Sequence, residues 1–311
     1  MRDGLKRWAA AQAWRLAGRA AKDREALYGG ATGLRVVTFH ESLAGHLDEI
    51  VRLLGWWRRT RPLATPEDAD AILEGRWEPG PEDRLLVTFD DGLASNHAAA
   101  RALAREGVRA IFFVVPSLVD RTIAEYLRFH DARGVRALPP LAVRDVRGLT
   151  TSELAEMISM GHRIAAHNFA HRDLGLLHDA AELRYEIANA LDQVGELTGR
   201  PCLDFAIGFG QPENLSAEAA AYLLAHVPRV YACHRGLNVP GVTPRFLLRH
   251  AVEPRHPLAF TRVCLEGGAD RRLADRARAL AARVGLLPAG PAPAAGAAAG
   301  PRAGARTGST D

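Results

Sequence analysis

The chain has 311 residues, of which 48% are hydrophobic and 24% charged, and this composition is typical of a globular protein with a sizeable core. Its 40 Lys and Arg residues and 36 Asp and Glu residues leave a formal net charge of +4, which excludes the strongly basic balance of a nucleic-acid-binding protein. The three cysteines are far apart and include no CxxC pair, so the sequence indicates neither a disulfide framework nor a thiolate zinc site.

Residues 1–30 are predicted to form a basic amphipathic helix ahead of the main domain. Its apolar face consists of Leu5, Trp8, Ala9 and Leu16. Arg15 and Arg19 interrupt the apolar core that a signal peptide needs, and the sequence has no run of about 18–20 apolar residues that could span a membrane. We therefore expect a cytoplasmic protein whose N-terminal helix packs on the outside of the domain, with peripheral docking on the inner face of the membrane as the alternative.

Short apolar runs alternate with longer helical patterns through residues 31–286, which we predict to be one domain. The predicted strands are 34–39, 84–89, 110–115, 163–166, 203–207, 229–232 and 246–250. The predicted helices are 43–58, 95–105, 151–159, 180–197, 217–226 and 269–284. This alternation predicts an α/β fold with a parallel sheet, and about seven strands in one region favour closure into a barrel. Residues 287–311 become rich in Ala, Gly and Pro, and we predict a disordered tail there.

Polar side chains follow several of the predicted strands at their carboxyl ends. His40 follows the first strand, Asp90 and Asp91 follow the second, and His167 follows the fourth. The carboxyl ends of parallel strands lie at one edge of a sheet or one mouth of a barrel, where the loops enter the helices. We therefore expect these side chains to meet in a functional site.

Asp90 and Asp91 lie in the sequence Thr-Phe-Asp-Asp-Gly, directly after an apolar strand. Two adjacent carboxylates repel each other unless a cation or a proton is near, so one of them can bind a metal ion while the other approaches a water molecule. Gly92 permits a tight turn into the following helix. The alternative interpretation is an Asp-rich turn that caps the helix beginning near Ser95.

His167 and His171 lie four positions apart in the sequence His-Asn-Phe-Ala-His. This spacing brings two imidazoles to one side of a helical turn, where they can share an ion. With Asp91 they would supply two nitrogens and one oxygen and leave positions open for water and substrate, as a catalytic divalent-metal site requires. Asp90 would then act as the general base. The alternative is that both histidines are polar residues that share no ligand.

These motifs resemble those of the polysaccharide deacetylase family, which carries the NodB-homology domain and is carbohydrate esterase family 4. The resemblance runs from about residue 34 to residue 250 and implies an α/β fold of the family's type, a deformed (β/α)7 barrel. The sequence TFDDG matches the first family motif in full, which implies Asp90 as base and Asp91 as metal ligand. HNFAH fits the second motif, with Asn168 where Ser or Thr is usual, and implies His167 and His171 as further metal ligands.

Two further family motifs are matched less well. Residues 248–250 fit the Leu-x-His of the last motif, which implies that His250 is the general acid that protonates the leaving group. The third motif, Arg-x-Pro-Tyr, corresponds to residues 206–210, where the proline and the arginine that would orient the base are absent. The orientation of the base is thus left open, while a backbone N–H at Phe209 or Gly210 would help to stabilise an oxyanion. His40 resembles a strand-end histidine of bacterial members and is expected to line the site.

The resemblance implies a metal-dependent carbohydrate deacetylase, a hydrolase acting on carbon–nitrogen bonds other than peptide bonds. The expected cofactor is a divalent metal ion, with zinc as the expected element, and the expected partner is an acetylated carbohydrate, in particular an N-acetyl amino sugar of a glycan or glycan precursor. One alternative is an amidohydrolase that acts on a non-sugar amide with the same ion and base. Another is a catalytically silent relative that binds a glycan or a partner protein. The sequence does not indicate an oligomeric state.

Overall fold

The computed structural model describes residues 18–140, 146–241, 246–252, 256–268 and 270–283. Within these ranges the chain folds as seven parallel strands with helices packed around them. The apolar face predicted for the N-terminal helix and the tail predicted at 287–311 lie outside the described residues. Among the described helices, none has both the length and the apolar character needed to cross a membrane.

The strands and helices alternate along the chain, as the hydrophobic pattern predicts. The strands are β1 (Leu34–Phe39), β2 (Arg84–Phe89), β3 (Ile111–Val114), β4 (Arg163–Ala166), β5 (Asp204–Ala206), β6 (Arg229–Tyr231) and β7 (His250–Ala251). The α-helices are α1 (Arg19–Tyr28), α2 (Ala44–Arg58), α3 (Pro66–Leu73), α4 (Ser95–Arg105), α5 (Ile123–Asp131), α6 (Thr151–Ser159), α7 (Ala180–Thr198), α8 (Ala217–His226), α9 (Leu258–Leu265) and α10 (Asp270–Arg283). Short 3-10 helices lie at Pro116–Leu118 and Pro212–Asn214.

The pairings between these strands are parallel and follow the order β6-β5-β4-β3-β2-β1-β7. A further bridge joins Tyr231 of β6 to Leu247, which precedes β7. Around this bridge the N–H of Leu247 donates to Val230 and the N–H of Ala232 donates to Leu247, each at 2.9 Å. The segment 247–251 therefore contacts both edges of the sheet and closes it. The prediction of a deformed (β/α)7 barrel is confirmed.

The predicted boundaries of most elements agree with the structure to within one residue. The last strand differs, because the sequence predicts it at 246–250 whereas its pairing with β1 covers only His250–Ala251. The hydrophobic pattern also misses three helices, α3, α5 and α9. Two of these begin with a capping box, formed by Thr65 and Asp68 in α3 and by Thr122 and Glu125 in α5, so a signal for them was present in the sequence.

The two faces of the sheet carry separate apolar clusters, because side chains alternate between the faces along each strand. The larger cluster lies between the sheet and the surrounding helices. The inner cluster contains Val36, Leu86 and Phe113 of the strands together with Ile72 of α3 and Trp77 just after it. Helix α3 therefore covers the end of the barrel where the strands begin, and the opposite mouth is left open.

Charged side chains at the first residues of β4, β5 and β6 join α3 to this covered end. Arg229 donates two hydrogen bonds to Asp204, of 2.8 and 2.9 Å. Arg163 contacts Asp70 of α3 at 2.7 Å and Asp204 at 3.4 Å, and the hydroxyl of Tyr231 donates to Asp204 at 3.0 Å. Asp204 is buried. Its carboxylate is a counter-ion of both guanidinium groups, which are themselves largely shielded from water.

Asp204→Ala is expected to lower the free energy of unfolding by about 1–3 kcal/mol, because Arg163, Arg229 and Tyr231 lose a buried hydrogen-bond partner while both arginines keep Asp70 of α3. Unfolding in urea, compared with wild type, measures this loss. Glu106→Ala is a matched control, since Glu106 pairs with Arg58 at the surface, and it should change stability by less than about 1 kcal/mol. Equal effects of the two substitutions would show that the Asp204 cluster does not hold this end of the barrel together.

Candidate active site

The site lies at the carboxyl end of β2, where Asp90 and Asp91 follow the strand. The N–H of Asp90 continues the strand pairing and donates to Phe39 at 2.8 Å. Asp91 and Gly92 then take left-handed conformations, with φ of 74° and 70°. A Cβ on Gly92 would lie 2.8 Å from the Cβ of Val114, so this turn requires glycine. The turn directs the two neighbouring carboxylates towards different partners.

Asp91, His167 and His171 form a buried group whose potential ligand atoms all lie within 4.8 Å of one another. The Nε2 atoms of His167 and His171 are 3.7 and 3.5 Å from Oδ1 of Asp91. Nδ1 of His167 is 2.7 Å from the carbonyl oxygen of Ala206. Because a carbonyl oxygen only accepts, Nδ1 carries the proton and Nε2 presents its lone pair to the group, which is the usual arrangement of a metal-binding histidine.

The donor set fits a divalent cation. Both carboxylate oxygens of Asp91 are buried and have no hydrogen-bond partner among the described residues. A buried carboxylate without a partner would be strongly unfavourable, whereas a shared cation would satisfy it. Neither acidic residue caps α4, because Asp91 faces the imidazoles and the carboxylate of Asp90 is bound elsewhere. The interpretation of this motif as a helix cap therefore has no support.

His171 occupies a strained position that suits a ligand. Its backbone has a left-handed φ of 49°, a conformation that non-glycine residues adopt mainly where the surroundings impose it. Burial lowers the pKa of its imidazole to about 4, against the opposing effect of Asp91, so the ring is neutral near pH 7. Its ring also packs on Phe209, with centroids 4.9 Å apart.

Asp90 is held by an arginine that the sequence motifs did not identify. Arg249 donates hydrogen bonds of 2.6 and 2.9 Å to the two carboxylate oxygens of Asp90, and both side chains are buried. Arg249 also donates to the carbonyl oxygen of Ala232 at 3.1 Å and lies over the ring of Phe113. The third motif at residues 206–210 has no arginine, as its sequence shows, and the orientation of Asp90 was left open. The structure places Arg249, the middle residue of the Leu-x-His sequence, in contact with this carboxylate.

This pairing determines the ionisation of Asp90. Burial alone would raise the pKa of its carboxyl group, but Arg249 and then His167 reverse that effect and lower the pKa to about 2. Asp90 is therefore a carboxylate at any pH near neutrality. A bidentate guanidinium contact also fixes the plane of the carboxylate, so the geometry supports the role of an oriented base.

The structure does not bring His250 to this cluster. Its Nε2 atom lies 3.1 Å from the carbonyl oxygen of Gly236 and 3.4 Å from Nη1 of Arg35, which in turn binds Asp270 at 2.7 Å. Arg249 and His250 are consecutive residues of an extended segment, so their side chains point to opposite faces. Burial and then Arg35 lower the pKa of His250 to about 3. The general-acid role expected of His250 has no support in this placement.

The loop that corresponds to the third motif packs beside the two histidines. The N–H of Gly208 donates to Oδ1 of Asn168 at 3.0 Å, and Nδ2 of Asn168 donates to the carbonyl of Arg172 at 2.6 Å. Asn168 therefore joins the two loops. Phe209 has a left-handed φ of 59°, and the N–H of Gly210 already donates to Gly208 at 2.6 Å. This bond removes Gly210 from the candidate oxyanion donors and leaves Phe209.

His40 is half-buried at the end of β1, next to β2 in the sheet. Its carbonyl oxygen accepts a hydrogen bond of 2.8 Å from Asn96, which fixes its backbone. The imidazole lies close enough to the cluster that its charge lowers the pKa of both Asp90 and His171. The structure thus agrees with a histidine that lines the site.

Similar folds occur in three solved deacetylase-related structures. IcaB from Ammonifex degensii is 21% identical, with a TM-score of 0.57 over 75% of this chain and 96% of that one. A de-N-acetylase from Aggregatibacter actinomycetemcomitans is 14% identical, with a TM-score of 0.58 over 74% of this chain and 99% of that one. The Streptococcus pyogenes deacetylase PplD, in complex with acetate, is 14% identical, with a TM-score of 0.56 over 76% of this chain and 99% of that one. At these identities the likeness concerns the fold.

A comparison with curated protein sequences finds no match to the chain. Residues 78–226, however, match the family model described as polysaccharide deacetylase. The matched residues include Asp90 and Asp91 as well as His167 and His171, which are the residues that the structure gathers at the mouth of the barrel. Over residues 78–226, just under half of its length, the chain is similar to the polysaccharide deacetylase family.

Proposed function

We propose that the protein is a metal-dependent hydrolase that removes acetyl groups from an N-acetylated amino sugar in a glycan or glycan precursor. The observation that carries this proposal is the buried group of Asp91, His167 and His171 beside a second carboxylate that an arginine holds. The match of residues 78–226 to the polysaccharide deacetylase family supports deacetylation of a polysaccharide. The similar folds of a de-N-acetylase and of a deacetylase bound to acetate support an acetyl group as the group removed.

Asp91, His167 and His171 would hold a divalent ion, for which we propose zinc because two imidazoles and one carboxylate suit it. Bound there, the ion would polarise the acyl oxygen and lower the pKa of a water molecule. The chain keeps the three side chains in place through the Ala206 carbonyl behind His167 and the left-handed turns at Asp91 and His171.

Asp90 is proposed as the general base that takes a proton from the attacking water. Arg249 keeps it ionised and oriented, and each carboxylate oxygen retains a lone pair that can accept the proton. The backbone N–H of Phe209 is proposed to donate to the oxyanion that forms after attack. Asn168 already joins the loop that carries Phe209 to the loop that carries the two histidines.

His40 is proposed as the donor of a proton to the leaving nitrogen. The cationic or titratable neighbours that act most strongly on Asp90 are Arg249, His167 and His40. Arg249 does not release a proton in the ordinary pH range, and His167 belongs to the metal-binding group. His40 is half-buried, so it can contact both the cluster and a substrate that enters from solvent. It thus replaces His250 as the candidate acid.

Asp90→Asn is expected to lower kcat/KM for metal-dependent acetate release from N-acetylated chitooligosaccharides by about 10²–10⁴-fold, because an amide cannot take the proton from water. Asp120→Asn is the matched control, since Asp120 accepts hydrogen bonds from Thr151 at the surface. A wild-type protein that releases no acetate from any glycan or amide in a panel would favour the silent relative. Release from small amides alone would favour the amidohydrolase.

The wild-type protein is expected to bind about one divalent ion per chain at the Asp91 group. His171→Ala should weaken this binding because it removes one of three ligands, and a chelator should abolish acetate release until zinc is added back. Metal content after dialysis measures the binding, and acetate release before and after zinc addition measures the effect of the chelator. His178→Ala, which removes an exposed imidazole paired with Glu218, is the control. Equal metal content in wild type and His171→Ala would contradict the ligand assignment.

Arg249→Met is expected to move the acidic limb of the kcat/KM profile to higher pH. The base must be ionised, so activity is lost as the pH falls through the pKa of Asp90, which is about 2 in the presence of Arg249. Without the guanidinium, burial raises that pKa. The ratio of wild-type to variant kcat/KM should therefore increase as the pH falls from about 8 to about 4. A constant ratio over this range would show that Arg249 does not tune Asp90.

A further inference from the structure

One glutamate of α7 binds the backbone on both sides of His171. The carboxyl oxygen Oε2 of Glu186 accepts hydrogen bonds from the N–H of Ala170 at 3.0 Å and from the N–H of Arg172 at 3.4 Å. The main-chain oxygen of Glu186 accepts a third, from Phe169, at 3.0 Å. Glu186 therefore accepts hydrogen bonds from three N–H groups of one loop, those of Phe169, Ala170 and Arg172.

Glu186 occupies a position where a glutamate is unfavourable unless its contacts compensate. Its exposed fraction is 0%, and it lies in the apolar face of α7 between Leu183 and Ile187. Its other oxygen, Oε1, has no hydrogen-bond partner among the described residues and is 4.0 Å from Nε of Arg172. Burial raises its pKa to about 7, against the opposing effect of the Ala170 hydrogen bond and of Arg172. The hydrogen bonds to the loop are the main compensation for this burial.

The same loop is fixed from a second side. The hydroxyl of Ser117 donates to the carbonyl of Phe169, and it also contacts Nε2 of His130 at 2.9 Å. Nδ1 of His130 in turn contacts the hydroxyl of Tyr185, the residue before Glu186, at 2.9 Å. Both the N–H and the carbonyl oxygen of Phe169 are thus bound. His171, with its left-handed φ of 49°, is where the chain turns.

We propose that Glu186 is a positioning residue that sets the orientation of the His171 imidazole by binding the backbone N–H groups of the residues on either side of it, Ala170 and Arg172. This inference rests on the proposed function, because the orientation matters through the metal-binding group. A left-handed non-glycine residue persists only where its surroundings impose it, and the Glu186 carboxyl group is the contact that spans it. Partners of this kind behind a ligand commonly affect metal affinity about 10–100-fold.

The experiment measures Zn²⁺ affinity by chelator competition and the absorption spectrum of the Co²⁺-loaded protein, for wild type and the variants Glu186→Leu, Glu186→Gln and Glu186→Asp. Glu186→Leu is expected to weaken Zn²⁺ binding about 10–100-fold and to alter the cobalt spectrum. Glu186→Gln should recover part of the loss, because its amide oxygen can accept the same N–H groups. Glu182→Gln is the matched control one turn earlier on α7, where the carboxylate pairs with the side chain of Arg172, and it should leave affinity and spectrum unchanged.

Wild-type affinity and an unchanged cobalt spectrum in Glu186→Leu would overturn the proposal, even if the metal-free variant unfolds more readily. If Glu186→Leu does not fold, Glu186→Asp decides, because it withdraws the carboxylate from the loop while keeping its charge. About tenfold weaker binding is then expected, and wild-type affinity overturns the proposal. A wild-type protein that binds no divalent ion would overturn the proposed metal centre itself, an outcome distinct from a loss confined to the Glu186 role.

Discussion

Two adjacent carboxylates, Asp90 and Asp91, are buried at the mouth of the barrel, with exposed fractions of 3% and 1%. Buried charges of like sign repel each other, and each also loses the hydration that stabilises it in water. The turn after β2 separates them, so that Asp90 faces the guanidinium of Arg249 and Asp91 faces two imidazoles. Each carboxylate thus has its own surroundings, and these suit the different roles proposed for the two residues.

Much of this arrangement could be predicted from sequence because it depends on local patterns. Strands β1, β2 and β4 and helices α4, α6 and α8 have the predicted boundaries, since each is a compact apolar run or a regular amphipathic stretch. The strand-end rule predicted that Asp90, Asp91 and His167 lie at one mouth. His171 was expected beside His167 because of a helical turn, whereas residues 167–171 form a loop in which His171 has a left-handed φ of 49°. The structure brings all four together.

The residues that were missed act across the fold. Arg249 and His250 are neighbours in one extended segment, and the sequence does not show which of them faces the interior. The structure shows that Arg249 does, on the same face as Leu247 of the inner cluster. The resemblance to a family motif that ends in histidine led to the choice of His250, whose side chain lies on the opposite face from Arg249. Glu186 had a signal, because it interrupts the apolar positions Leu183 and Ile187 of α7. An acidic residue in such a stripe indicates a buried polar contact, but only the three-dimensional structure identifies its partner.

Arg249 lies 159 positions after Asp90 and belongs to the segment that joins the two edges of the sheet. The Asp91, His167 and His171 side chains, by contrast, follow β2 and β4, which both pair with β3 in the middle of the sheet. A contact between positions as distant as Asp90 and Arg249 closes a long loop and costs chain entropy. The contact that compensates the buried charge of Asp90 therefore depends on closure of the barrel, whereas the grouping of Asp91 with the two histidines does not involve that segment.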